Sequence, residues 1–225
     1  MQRLIRIAVG LLLLTIFYNI GEGVIAVYAG IETNSLVLIA FGADSYLEVL
    51  AAGAVLWRLS YRDEEEGERA EQRALRLIGA TFLLLAAVVV FQAVLSLVGQ
   101  EAAEESRLGL LLLATSLLIM PALSLAKLWT AARTQLPALA AEAKETIACS
   151  YLSLTAFAGL VATALLGWWW LDAAAALLLV PWLVKEGLEG LRGEACFDGV
   201  RPCFCRSCRF GMRACTPMCC VPVCC

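Results

Sequence analysis

The chain contains no histidine. That absence removes every mechanism that needs an imidazole as base or ligand, including Ser/His/Asp hydrolysis and the His-Glu-x-x-His zinc protease site. Charge is scarce as well. Only 16% of the 225 residues are Asp, Glu, Lys or Arg, against about 25% in an ordinary soluble domain. No Gly-x-x-x-x-Gly-Lys-Ser/Thr loop is present, which argues against an ATP-driven pump, and no nucleophile stands beside a partnered base, which argues against covalent catalysis. The chain is therefore not read as an enzyme, and neither a prosthetic group nor nucleic acid is expected.

Apolar sequence is abundant, at 61% of residues. Six stretches can be marked, approximately Ile5 to Ala29, Ser35 to Trp57, Leu75 to Val98, Leu108 to Trp129, Glu145 to Leu166 and Trp170 to Leu191. Each suffices to cross a hydrocarbon core of roughly 30 Å as a helix of about 20 residues. The expected fold is an all-α membrane protein with six transmembrane helices over residues 1–192, followed by a separate tail, 193–225. The charged run at 62–73 and the segment at 99–107 read as separators, as does TQLPAL. Pro121 and Pro181 fall inside spans four and six, where each removes a backbone hydrogen bond and should kink its helix or mark a flexible point. Arg3 and Arg6 before an apolar run also resemble a signal peptide. Removing that segment would leave five spans and spoil the charge asymmetry, so it is read as the first span.

Lys and Arg accumulate on the cytoplasmic side of short loops. With the N-terminus inside, sixteen of the 17 basic residues fall on that side, Lys127 and Lys144 among them, and only Arg107 falls outside. Both termini are expected in the cytoplasm of a multi-pass protein of a prokaryotic plasma (inner) membrane.

Against this apolar background, several acids stand where lipid should be. An ionisable group at bilayer depth costs at least about 2.5 kcal/mol and marks an ion or substrate pathway by default. Asp44 and Glu48 lie four residues apart on the second span, so their carboxylates share one helix face. Glu145 and Cys149 repeat the spacing on the fifth. Glu22 sits in the first span with Asn19 three residues earlier. Two helices that each offer an i, i+4 pair could complete a four-ligand site, since carboxylate oxygen and thiolate sulfur both bind zinc at roughly 2.0–2.3 Å. Metal binding releases protons from such ligands, and crowded carboxylates titrate as a set. Other readings stay open at this level. Asp44 and Glu48 could clamp two helices, although acids without a nearby base are poor glue. Glu145 could belong to a solvated helix end, beside Glu142 and Lys144, and Cys149 could be a packing residue. Glu22 could be a further pathway acid, a proton acceptor or a partner for Asn19.

The second-span segment TNSLVLIAFGADSYLEVLAAGAVL, the i, i+4 pair opening the fifth span, and GWWWLDAAAALLLVPWLVKEGLEGLRG on the sixth together resemble the transmembrane domain of the cation diffusion facilitator (cation efflux) family. The resemblance covers approximately residues 5–192. It implies a homodimeric exporter that exchanges cytosolic zinc, or a related divalent metal, for protons, with the metal between the second and fifth spans. Asp44 and Glu48 match the family's second-span pair, Glu replacing the usual Asp. Glu145 and Cys149 match the fifth-span pair in placement and spacing, with Ser150 as the fallback ligand. A histidine-rich loop is missing and the family's soluble C-terminal domain has no counterpart, so the chain resembles a short, divergent member.

Nine of the ten cysteines lie from residue 193 onward. Cys203, Cys205 and Cys208 form CFCRSC; Cys196, Cys215, Cys219, Cys220, Cys224 and Cys225 surround it. Cys-x-Cys and Cys-x-x-Cys spacings let one loop supply two thiolates to Zn²⁺ or Cu⁺. Cys203, Cys205, Cys208, Cys215, Cys219 and Cys220 are the candidates for such capture. The other reading is a tail held on anionic lipid by Arg201, Arg206, Arg209 and Arg213. For the whole chain, the two functional readings are a proton-coupled divalent metal exporter and a membrane metal-binding or sensing protein that moves nothing.

Overall fold

The computed structural model describes residues 2–32, 36–61, 64–99, 107–168 and 170–193. The cysteine-rich tail lies outside the described residues. The described residues form six helices: α1 (Gln2–Glu32), α2 (Leu36–Leu59), α3 (Glu64–Gly99), α4 (Arg107–Thr134), α5 (Pro137–Leu166) and α6 (Leu171–Arg192). All-helical architecture is what a bilayer demands, because every backbone N–H and C=O must be paired within the segment.

Two boundaries move relative to the hydropathy reading, each for a physical reason. First, α3 begins at Glu64, inside the run read as a separator. Its first turns are Glu-, Arg-, Ala- and Gln-rich, good helix formers, with acids at the favourable N-terminal end of the dipole and an ion pair from Glu65 to Arg69. At 36 residues it is roughly 54 Å long and exceeds the hydrocarbon core by several turns. Second, α5 starts eight residues before the expected Glu145, at Pro137, because proline suits the first helical position. The turn before it is closed by Gln135, whose φ of 53° is left-handed. The Ala138 amide donates to Glu71 Oε1 of α3 at 2.6 Å, so a carboxylate from another helix serves as the N-terminal cap. Pro121 and Pro181 lie inside α4 and α6, as expected. Gly193 terminates α6 in the left-handed region, its N–H reaching the carbonyls of Glu189 and Gly190.

The distribution of side chains is inverted relative to a soluble protein. Leu111, Leu118 and Leu125, one heptad apart on α4, are 62%, 76% and 66% exposed, while acids on α2 and α5 are buried. Among the described residues, α1 to α4 are long and apolar enough to cross a membrane. Helices α5 and α6, of 30 and 22 residues, have the length to cross as well. Within the apolar windows, 61% of α2 is buried, against 22% of α1, 28% of α3 and 33% of α4. Thus α2 is an interior helix, and α5, packed on α2, α3, α4 and α6, is the other. Asp44, Glu48, Glu142 and Glu145 are buried on these two helices.

Small residues set how closely this frame closes. Gly79 of α3 meets Gly187 and Gly190 of α6 backbone to backbone: a Cβ on Gly79 would stand 2.6 Å from the Leu191 nitrogen and 2.7 Å from the Gly187 oxygen. Gly23 of α1 and Gly42 of α2 make a similar approach. Gly53 of α2, by contrast, faces open space. Gly79→Ala is expected to destabilise the folded protein by about 1–3 kcal/mol through overpacking. Gly53→Ala should be neutral or stabilise by up to about 1 kcal/mol through the gain in helix propensity. Thermal unfolding of both variants in the same detergent checks this; equal midpoints would contradict the close α3–α6 contact.

Candidate metal centre

Helices α2 and α5 face each other with their acids inward. Asp44, Glu48, Glu145 and Cys149 are all at most 3% exposed. The i, i+4 pair on α2 and the pair on α5 are therefore brought into one buried cluster: Cys149 faces Asp44 without closing a hydrogen bond to it, and Glu145 lies in the field of both Glu48 and Asp44. The early start of α5 explains the depth of Glu145. With eight helical residues before it, it does not occupy a solvated helix end; it is fully buried against Thr81 of α3.

Hydrogen bonding divides the acids into two groups. Glu22 is satisfied: the Tyr18 hydroxyl donates to its Oε1 at 3.1 Å and Ser45 Oγ donates to its Oε2 at 3.1 Å. Asn19 is not its partner, since Asn19 Nδ2 donates to the Thr15 carbonyl at 3.1 Å and the side chain faces Glu48 instead. In contrast, both oxygens of Asp44, of Glu48 and of Glu145 are buried with no hydrogen-bond partner. A buried carboxylate without compensation costs several kcal/mol. Three such carboxylates buried between the same two helices are compatible with folding only when cations, protons included, offset their charge.

Sequence reasoning missed two members of this cluster. Lys127 of α4 was assigned to the cytoplasmic flank, yet it is 0% exposed. Its Nζ donates to Glu142 Oε1 at 2.6 Å and to Thr146 Oγ1 at 2.8 Å. A lysine and a glutamate near opposite ends of the α4–α5 turn are ordinary flanking charges in a linear reading. The signal that could have found them is the i, i+3 relation of Glu142 to Glu145, which places both on the buried face of α5. Ser150, the fallback ligand, is half-buried and donates to the Thr146 carbonyl of its own helix at 2.8 Å.

The two ends of the bundle treat the cluster differently. A cavity of about 70 Å³ reaches Asp44 from the end where α2 and α4 begin, lined by Phe41, Leu113, Gln92, Ser96 and Thr155 among others, with Asp44 as its only ionisable group. It has room for more than one water-sized species. Toward the other end the bundle is tied by ion pairs: Lys127 to Glu142, Lys144 to Glu186 at 2.7 Å between α5 and α6, and Arg58 to Glu71 at 2.5 Å between α2 and α3.

Three oxygen donors and one sulfur suit a borderline divalent cation. Among the described residues, no three His, Cys, Asp or Glu side chains are grouped to hold one ion as they stand. Direct ligation therefore requires the α2 and α5 pairs to draw together.

A family model of the cation efflux transmembrane domain matches residues 12–193, from Leu12 within α1 to the glycine that ends α6. The chain belongs to the cation efflux family. Members are transporters of divalent cations rather than enzymes, and this one is an integral multi-pass membrane protein. No curated protein matches the chain. Among the described residues, the buried acids of α2 and α5 have a chemistry compatible with a divalent cation.

The facing of Cys149 and Asp44 gives a direct test. Cys149→Ser is expected to weaken binding of the soft ion Cd²⁺ by about tenfold or more, equivalent to about 1.4 kcal/mol, and Ser150→Ala to leave it unchanged. Isothermal titration in detergent, using sites sensitive to Asp44→Asn, reads the difference; the reverse ranking would transfer the ligand to Ser150.

Proposed function

We propose that the protein exports a divalent metal, zinc in the first instance, from the cytosol by exchange with protons, through a site made by Asp44 and Glu48 of α2 with Glu145 and Cys149 of α5. The observation that supports this most strongly is the set of three unpartnered, fully buried carboxylates between the two interior helices. Their charge must be offset at every stage of a cycle. A divalent ion does so when bound, and protons do so when it has left, so coupling follows from the cost of burying bare charge. Glu22, held by Tyr18 of its own helix and by Ser45 of α2, is proposed as a further acid on the pathway. With both termini in the cytoplasm, as the distribution of Lys and Arg favours, the ion-paired end faces the cytosol and the cavity beside Asp44 faces out. The family resemblance also implies a homodimer, which crosslinking in lipid reads directly.

Reconstitution in vesicles with an internal zinc dye, with and without an imposed pH gradient, is the decisive experiment. Wild-type protein should move Zn²⁺ and respond to the gradient. Asp44→Asn should insert and fold, since the amide preserves shape, but should abolish movement because one anionic ligand is gone. Normal transport by Asp44→Asn would eliminate the site as drawn. Wild-type protein that binds metal and moves none would favour a binding or sensing role.

For the tail, we propose capture of metal near the cytosolic entrance by Cys203, Cys205, Cys208, Cys215, Cys219 and Cys220. Four arginines among these cysteines oppose entry into the bilayer at about 2.5 kcal/mol or more each, so the tail can raise local metal concentration but not line the pathway. Truncation after Gly193 should slow uptake at limiting metal and leave the maximal rate nearly unchanged. Loss of transport at all metal concentrations, in protein that still inserts, would refute this division.

A further inference from the structure

The acid cluster contains a cation of its own. Lys127 projects from α4 into the interior, fully buried, and its ammonium is shared between Glu142 Oε1 at 2.6 Å and Thr146 Oγ1 at 2.8 Å, both on α5. It does not stand apart from the carboxylates proposed to hold metal. Its charge reaches Glu48, and Glu48 faces Thr146, the hydroxyl that Lys127 also contacts. The second oxygen of Glu142, Oε2, is buried with no hydrogen-bond partner, and Glu142 lies in the field of Glu145. The ammonium thus sits at the rim of the cluster on the ion-paired side, the position from which a cation entering by that end would approach Glu48 and Glu145.

An isolated buried ion pair is a weak source of stability, because desolvation offsets its attraction. Apolar residues of similar volume would pack between α4 and α5 at least as well. What an apolar pair could not do is place a fixed positive charge beside a cation-binding site. A monovalent charge on a tether and a divalent ion in the same carboxylate field repel one another, and in a water-poor interior that repulsion is felt over several ångströms.

We propose that Lys127 is a tethered counter-cation of the metal site, a positioning residue that holds Glu142 and biases Glu48 when no ion is bound and opposes the divalent ion when one is. Its effect is to weaken metal binding enough that the ion leaves. Conduction needs a site favourable enough to fill and weak enough to empty, and three carboxylates with a thiolate would by themselves err toward retention. The assignment rests on the α2–α5 site proposed above and adds to it a residue from α4.

The test is Lys127→Met in the full-length protein, with Zn²⁺ as the probe, at one pH and in one buffer. Equilibrium titration should show tighter binding than wild type, by roughly tenfold or more. In vesicles both the KM and the maximal rate should fall, because the ion enters a deeper well and leaves it slowly. Lys127→Arg, which keeps the charge, should stay near wild type in affinity. A residue that only braces α4 against α5 would give the opposite outcome on replacement: a less stable protein with equal or weaker zinc binding.

Removing Lys127 leaves Glu142 buried without its cation, so Lys127→Met in metal-free buffer could unfold. The proposal then requires that Zn²⁺ restore folding and raise the thermal midpoint by more than it raises that of wild type. A midpoint shift equal to or smaller than that of wild type would overturn it, as would unchanged or weakened zinc affinity in a folded variant. Asp44→Asn separates this result from failure of the underlying site. If wild type binds zinc and Asp44→Asn does not, while Lys127→Met binds as wild type does, the site stands and only the role of Lys127 falls. If Asp44→Asn binds normally, the site itself is wrong.

Discussion

The cost of bare charge in a low-dielectric interior is the constraint on which the rest of the molecule depends. Asp44, Glu48 and Glu145 are fully enclosed with six oxygen atoms unpaired, an arrangement that evolution has no reason to keep for stability, since apolar residues in those positions would pack without penalty. The helix arrangement follows from protecting them. The two helices that carry the unpaired acids, α2 and α5, are interior, and the helices around them turn many of their Leu, Val, Phe and Ile side chains outward.

Protection alone would be achieved by any thick wall of helices, but proximity between α2 and α5 needs a frame that closes tightly. Glycine supplies it in two places. The α3–α6 contact runs backbone to backbone at Gly79, Gly187 and Gly190, and the α1–α2 contact does so at Gly23 and Gly42. In a bilayer, where apolar side chains gain little by leaving lipid, such approaches and interhelical polar contacts carry association. Glu71 shows both roles in one side chain. It pairs with Arg58 of α2 and caps the first amide of α5, fixing where α5 begins and hence how deep Glu145 lies.

What the sequence made legible follows the same division. The six helices and the acidic pair on α2 could be read directly, because long apolar runs and an i, i+4 pair of acids within one are local patterns. The cytoplasmic-looking run at 62–73 was misread as a separator because hydropathy measures where lipid is, not where a helix is; the helix continues beyond the bilayer on its own propensity. The depth of Glu145 depended on a cap from α3, and the fate of Lys127 on which way α4 faces α5. Both are relations between helices far apart in sequence, and no window along the chain contains them. Asn19 and Glu22 illustrate the converse: their spacing left a partnership open among other readings, and each is claimed by another neighbour, Asn19 by its own backbone and Glu22 by Tyr18 and Ser45.

The ion pairs at one end and the cavity at the other make the bundle asymmetric about the acids. Three pairs, Lys127–Glu142, Lys144–Glu186 and Arg58–Glu71, tie α4 to α5, α5 to α6 and α2 to α3, so α5 takes part in two of them directly and, through the Glu71 cap on Ala138, in the third. A path to the acids from that end would have to part contacts that all converge on the first turns of α5. Parting a buried pair exposes each charge to the same penalty that the unpaired acids already carry, unless water or a cation enters as the helices separate. An arriving divalent ion is such a cation, and the carboxylates freed from their lysines would be the first to meet it. On the transport reading proposed above, movement of α5 and entry of charge would be one event, coupled by the cost of leaving an interior carboxylate without a positive partner.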